Sequence, residues 1–120
     1  MKTICFIRIG PTSPFLGKKI DPHWYQENNF NVLFWDLSKL FFSDKQISLY
    51  QVNKNYFFDG PNQTKFQSIE EFLYKIKNLN KDSIIIYFNR NPFLISTIKD
   101  KWLIKELSNF KNLGFMQFDT

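Results

Sequence analysis

The residues of this chain that can do chemistry fall at a few recurrent places, each just past a short apolar run. Arg8 stands near the end of the first run. A loop holding Gly10, Thr12, Ser13 and Gly17 follows it. Asp36 closes the second run, Asn89, Arg90 and Asn91 follow a third, and Asp119 follows the last. These types suit recognition of an anion. Hydroxyls and free loop amides near a helix start accept phosphate oxygens, and a guanidinium or a side-chain amide adds directed donors. His23, the single histidine, is of the residue type that most often serves as general base and is the candidate for that role. Each also has a plainer role. Arg8 can be a paired structural arginine, Asp36 a helix cap, His23 an exposed surface histidine, and Asn89 to Pro92 ordinary turn chemistry.

Several chemistries are excluded by spacing. Gly10 leads into Pro11-Thr12-Ser13-Pro14, so the three-glycine turn that wraps a dinucleotide pyrophosphate is missing, although Asp36 holds the place of the ribose-binding acid. No glycine-rich turn ends in Gly-Lys-Ser/Thr, and paired acids do not follow the first run, which removes P-loop and phosphoacceptor readings. One histidine and one cysteine cannot build a multi-histidine or structural zinc site. No Ser-His-Asp or Cys-His arrangement follows from the spacing. No metal or cofactor is expected.

The 120 residues that carry these groups are the length of one domain. The 15 Phe, 5 Tyr and 3 Trp imply a core built largely from rings, since each aromatic buries ~150–250 Å². The formal charge of +5, from 16 basic against 11 acidic residues, is a mild excess. Its bases are scattered, and neither a basic stripe nor a stacking motif for nucleic acid is visible. The lone Cys5 lies inside the first apolar run, so no disulfide framework exists and a reducing compartment is expected. No run reaches the ~18–20 apolar residues that span a bilayer.

Ile84-Ile85-Ile86-Tyr87-Phe88 is apolar on both faces and reads as the central strand of a covered parallel sheet. Strands are also expected from Thr3 to Ile9, from Asn31 to Trp35 and from Phe115 to Phe118. A helix begins at Asp21-Pro22, with Asp as cap, Pro at the first helical position, and Ile20 and Tyr25 as a hydrophobic staple. Asn28-Asn29 ends it. Leu37 to Phe42 forms a helical turn. Between Ser43 and Gln67 three segments compete for one strand: Ile47 to Val52, Asn55 to Asp59, and Lys65 to Gln67. Ser68 and Glu71 form a capping box for a helix whose apolar face is Ile69, Phe72, Leu73, Ile76 and Leu79. A short helix is expected from Pro92 to Lys99. A further helix, capped by Asp100, runs to Phe110 with Leu103, Leu107 and Phe110 on one face. Strands alternating with helices give an α/β fold, a three-layer Rossmann-like open parallel sheet of about five strands in the order 3-2-1-4-5.

The segment from Ile4 to Asp36 resembles the opening of GT-B glycosyltransferases and related bacterial surface-polysaccharide biosynthesis proteins. It has the strand, the long Pro/Gly-containing loop, the helix, the short turn and the second strand in that order. The run Asn29-Phe30-Asn31-Val32-Leu33-Phe34-Trp35-Asp36-Leu37-Ser38 is similar to the glycine-aromatic/His-x-Val-x-x-x-Asp-Leu-Ser pattern seen after the first helix in polysaccharide-locus members. About ten residues carry the specific part of the likeness. It departs from the pattern in the first loop, where Gly17-Lys18 replaces a frequent Gly-Gly pair. The resemblance implies an acceptor-side N-terminal domain, the nucleotide-sugar being held mostly by a C-terminal twin. The chain would then be the N-terminal piece of a longer protein and inactive alone, with His23 near the place of the base in some inverting members. A cytoplasmic location is expected from the lone cysteine and the lack of a spanning run, and the resemblance adds the inner face of the membrane and a sugar acceptor as partner. Two rivals stand beside it: a small α/β module that binds a nucleotide or other anion without chemistry, and an interaction domain marked by exposed Trp24 or Trp102.

Overall fold

The computed structural model describes residues 2–8, 22–45, 48, 63–88 and 98–116. Five strands, β1 (Lys2–Arg8), β2 (Phe30–Asp36), β3 (Gln63–Lys65), β4 (Ile84–Phe88) and β5 (Asn112–Met116), form one sheet in the order β3-β2-β1-β4-β5. Every pairing is parallel. The helices are α1 (Pro22–Glu27), α2 (Ser38–Phe41), α3 (Ile69–Asn78) and α4 (Ile98–Leu107). The result is a Rossmann-like α/β sheet, and the expected strand order is observed.

Period-two alternation sends neighbouring side chains of each strand to opposite faces. Cys5, Ile7, Trp35, Ile85 and Tyr87 face one layer, where they bury Phe72 and Ile76 of α3, Leu103 and Leu107 of α4, and Phe66 and Phe110. Ile4, Phe6, Val32 and Phe34 face the other, packed with Tyr25 of α1. Residues from both faces of β1 and β2 are buried, which is why those strands read as continuous apolar runs. With right-handed crossovers, α1 and the pair α3 and α4 must lie on opposite faces. The reason is that the chain steps from β1 toward β3 in one direction and then returns past β1 to β4.

Most boundaries lie within a residue or two of expectation, and the differences have local causes. The last strand starts at Asn112 rather than Phe115, because Leu113 already packs on the first core layer and Gly114 pairs with Ile86. A Cβ at Gly114 would lie 3.2 Å from Ile86 Cδ1, so this glycine admits a neighbour instead of breaking the strand. Asp100 is the third residue of α4 and not its cap. Ile69, at the first position of α3, is exposed, while Phe72 and Ile76 form the buried stripe. Of the competing third strands, the structure places β3 at Gln63–Lys65, overlapping the latest candidate. Ser48 is helical, while the rest of the stretch from Ile47 to Val52 and all of that from Asn55 to Asp59 lie outside the described residues. So do Ile20, Asp21 and the helix expected from Pro92, save its last residues at the start of α4.

Candidate functional site

The all-parallel sheet brings the carboxyl ends of its strands to one rim, and the register makes that rim specific. Arg8 is the Cα partner of both Asp36 and Phe88, and Asp36 is the partner of Lys65. One rung therefore runs Lys65, Asp36, Arg8, Phe88. It lies two residues beyond the rung where Phe6 and Phe34 stack with ring centroids 5.2 Å apart and planes at 17°. The strand order reverses between β1 and β4, so Arg8 ends a strand at the switch point where open α/β sheets form their ligand crevice.

The backbone around this rung is tied down. Leu37 N–H donates to the Arg8 carbonyl at 2.8 Å, and Phe66 N–H donates to the Asp36 carbonyl at 3.1 Å, which extends both pairings one step past the ladder. Asp36 is 4% exposed, and its Oδ1 accepts the Ser38 N–H at 2.8 Å at the start of α2. The acid therefore does structural work at a helix start, as its position after β2 suggested. Lys39 Nζ donates to Gln67 Oε1 at 3.0 Å, linking the residues that follow β2 and β3. Arg8 is half-buried and Lys65 exposed.

The α3 amino terminus, a natural place for an anion, is filled by the chain itself. Ser68 Oγ accepts the Glu71 N–H at 3.2 Å, and Glu71 Oε2 accepts the Gln67 N–H at 3.2 Å. The return bond reaches one residue further back than a standard capping box. His23 is exposed in the first turn of α1, the helix that follows β1. Cys5 is fully buried in the first core layer, where burial pushes its thiol well above the usual range.

Of the residues singled out from sequence, the structure sets Arg8 and Asp36 side by side and leaves His23 on the neighbouring helix. Gly10, Thr12, Ser13, Gly17, Asn89, Arg90, Asn91 and Asp119 lie outside the described residues. Lys65 was missed. Its signal was the strand itself, which is three residues long and too short for alternation to show. Trp24 is 54% exposed, as an interaction surface would require, whereas Trp102 is half-buried and packs edge-on against Phe72 at 6.0 Å. Among the described residues, no group of three or more His, Cys, Asp or Glu is arranged to hold a metal, and no helix is long and apolar enough to cross a membrane.

Comparison with models of known protein families, with curated proteins and with solved structures finds no match to this chain.

Proposed function

We propose that this domain binds an anionic ligand, a nucleoside diphosphate or a sugar phosphate, at the rim formed by the carboxyl ends of β1, β2, β3 and β4. The observation that carries the reading is the rung of Lys65, Asp36 and Arg8 at the point of strand reversal. Two cations flank one acid there, so the row carries a net positive charge. The start of α3 on that edge is closed by its own Ser68 and Glu71. An arginine fork is suited to two phosphate oxygens at once. The test is titration of 15N-labelled protein with uridine diphosphate. Amide shifts should concentrate at Arg8, Asp36 and Lys65, and at Thr12, Ser13 and Asn89 to Asn91, which follow β1 and β4 in sequence. Arg8→Ala should weaken binding about tenfold, the worth of one charge-assisted contact. A titration that moves no rim resonance defeats the proposal.

The resemblance to GT-B glycosyltransferases makes this domain the acceptor-side half of a sugar-transfer enzyme of surface-polysaccharide synthesis. Support comes from the run Asn29 to Ser38, which forms a left-handed turn, β2 and a start of α2 tied to Asp36 through the Ser38 N–H, in unbroken sequence. That reading requires the gene to continue past Thr120 into a second α/β domain, and a stop codon there would defeat it. Loss of transfer in the intact enzyme on Arg8→Ala would place the rim at the reaction.

A further inference from the structure

Resting on the reading of the rim as an anion site, we infer that its ligand is a nucleotide rather than a sugar phosphate, and that the Gln63 side-chain amide pairs with the edge of the base. Both Nε2 and Oε1 of Gln63 are buried, and neither has a hydrogen-bond partner. An amide taken out of water without partners destabilises a fold, so it calls for a group that the polypeptide does not supply. Ser83 Oγ, the other such case among the described residues, precedes β4 at the amino end of the sheet and is remote from the rim.

Gln63 is the Cα partner of Phe34, and Lys65 that of Asp36, so alternation sends Gln63 and Lys65 to one face of β3 and Phe66 to the other. On the Gln63 face the core is Ile4, Phe6, Val32 and Phe34, all apolar, which is why the sheet offers the amide no partner. Gln63 as a residue is only half-buried and lies on the edge strand, so its amide is just below the surface. Rotation about its own side-chain torsions brings it out to a ligand. From Arg8 it is two strands across and two residues back, about 12 Å between Cα atoms at ordinary strand spacing and rise. Pyrophosphate held at Arg8 is too short to reach it. A nucleoside diphosphate with its phosphates there reaches that far with its base. A primary amide sets a donor beside an acceptor in one plane. Every nucleobase carries a donor next to an acceptor on its pairing edge, so the two join through a pair of hydrogen bonds. A sugar phosphate offers only hydroxyls, which do not reproduce that flat two-point pattern.

Gln63→Met tests this, because methionine keeps the length of the side chain and removes both polar atoms. Calorimetric titration at low salt compares uridine diphosphate with inorganic pyrophosphate. Gln63→Met should weaken uridine diphosphate about tenfold and leave pyrophosphate within about twofold of the parent chain. The unliganded variant should also melt a few degrees higher, since a thioether needs no partner. Undiminished uridine diphosphate binding by Gln63→Met, or an equal loss for both ligands, overturns the base contact and leaves the rim site standing. A lower melting temperature means that an internal water already satisfies the amide, and overturns it too. Failure of the parent chain to bind either ligand removes the rim reading and this inference with it. A measurement on the unaltered protein covers the case in which Gln63→Met does not fold. Uridine diphosphate should shift the NMR signals of the Gln63 side-chain NH2, and pyrophosphate should not. Signals that move alike with both, or with neither, overturn the inference.

Discussion

Asn29 shows how much one backbone angle can demand. Its φ of 65° lies in the left-handed region, where a Cβ is unwelcome and asparagine is the most tolerant non-glycine residue. Asn29→Ala should therefore cost about 1 kcal/mol in urea unfolding, and Asn29→Gly should be close to neutral. Gly114 is the opposite case, since its φ is ordinary and only space limits it. The neighbouring Ile86 is half-buried, so its Cδ1 can yield the few tenths of an ångström that a methyl needs. Gly114→Ala should then stabilise by about 0.5 kcal/mol through the reduced entropy of the unfolded chain, seen as a higher melting temperature. Cys5 adds a pH dependence with a definite sign. Burial raises its folded pKa, so the native state favours the neutral thiol and the unfolded chain ionises first. Its contribution is intact below the unfolded thiol pKa of ~8.5 and declines as pH rises beyond it. Cys5→Ala, whatever its cost at neutral pH, should flatten the alkaline limb of the stability profile.

At the scale of the element, α3 gathers the strongest local signals. Its ten residues begin at a Ser68 cap, carry Glu70 and Glu71 in the first turn, and end with Lys75 and Lys77 in the last, all matched to the helix dipole. Ser68→Ala should cost about 1 kcal/mol. The buried stripe matters more. Phe72 meets Trp35 edge-on at 6.1 Å and Phe66 at 5.7 Å, and Trp35 meets Phe66 at 5.2 Å, a closed set of three rings joining α3 to the sheet. Phe72→Ala should lose about 3–5 kcal/mol, the usual cost of emptying a buried ring. Tyr74, two residues on and largely exposed, should change stability by no more than about 0.5 kcal/mol on truncation to Ala. Urea unfolding of the two variants side by side checks both values. Comparable losses would mean the three rings do not anchor the helix.

For the molecule as a whole, stability should follow position in the sheet. β1 lies in the middle, flanked by β2 and β4, with buried residues on both of its faces. Amide protons of Cys5, Ile7, Val32 and Ile85 should exchange with solvent most slowly, near the limit set by global unfolding, and those of β3 and β5 at the edges faster. Uniform protection across the five strands would contradict a core centred on β1. The charged rung belongs to this scale too, since Lys65, Asp36 and Arg8 come from three separate strands.

By itself, the sequence determined the α/β class, the central strand from Ile84 to Phe88, the turn at Asn28-Asn29, the cap at Ser68 and the buried faces of α3 and α4. Each depends on neighbours within a few positions, where periodicity, capping and left-handed tolerance act. It also marked Arg8 and Asp36, since a charge at the end of an apolar run stands out. The tertiary structure decided what depends on register. It paired Arg8 with Asp36, added Lys65 from a strand too short to announce itself, kept Gly114 inside β5, and turned Trp102 inward while leaving Trp24 outside. The physical reason is the same throughout. Hydrogen bonds between strands distant in the chain choose which side chains become neighbours, and no local pattern encodes that choice.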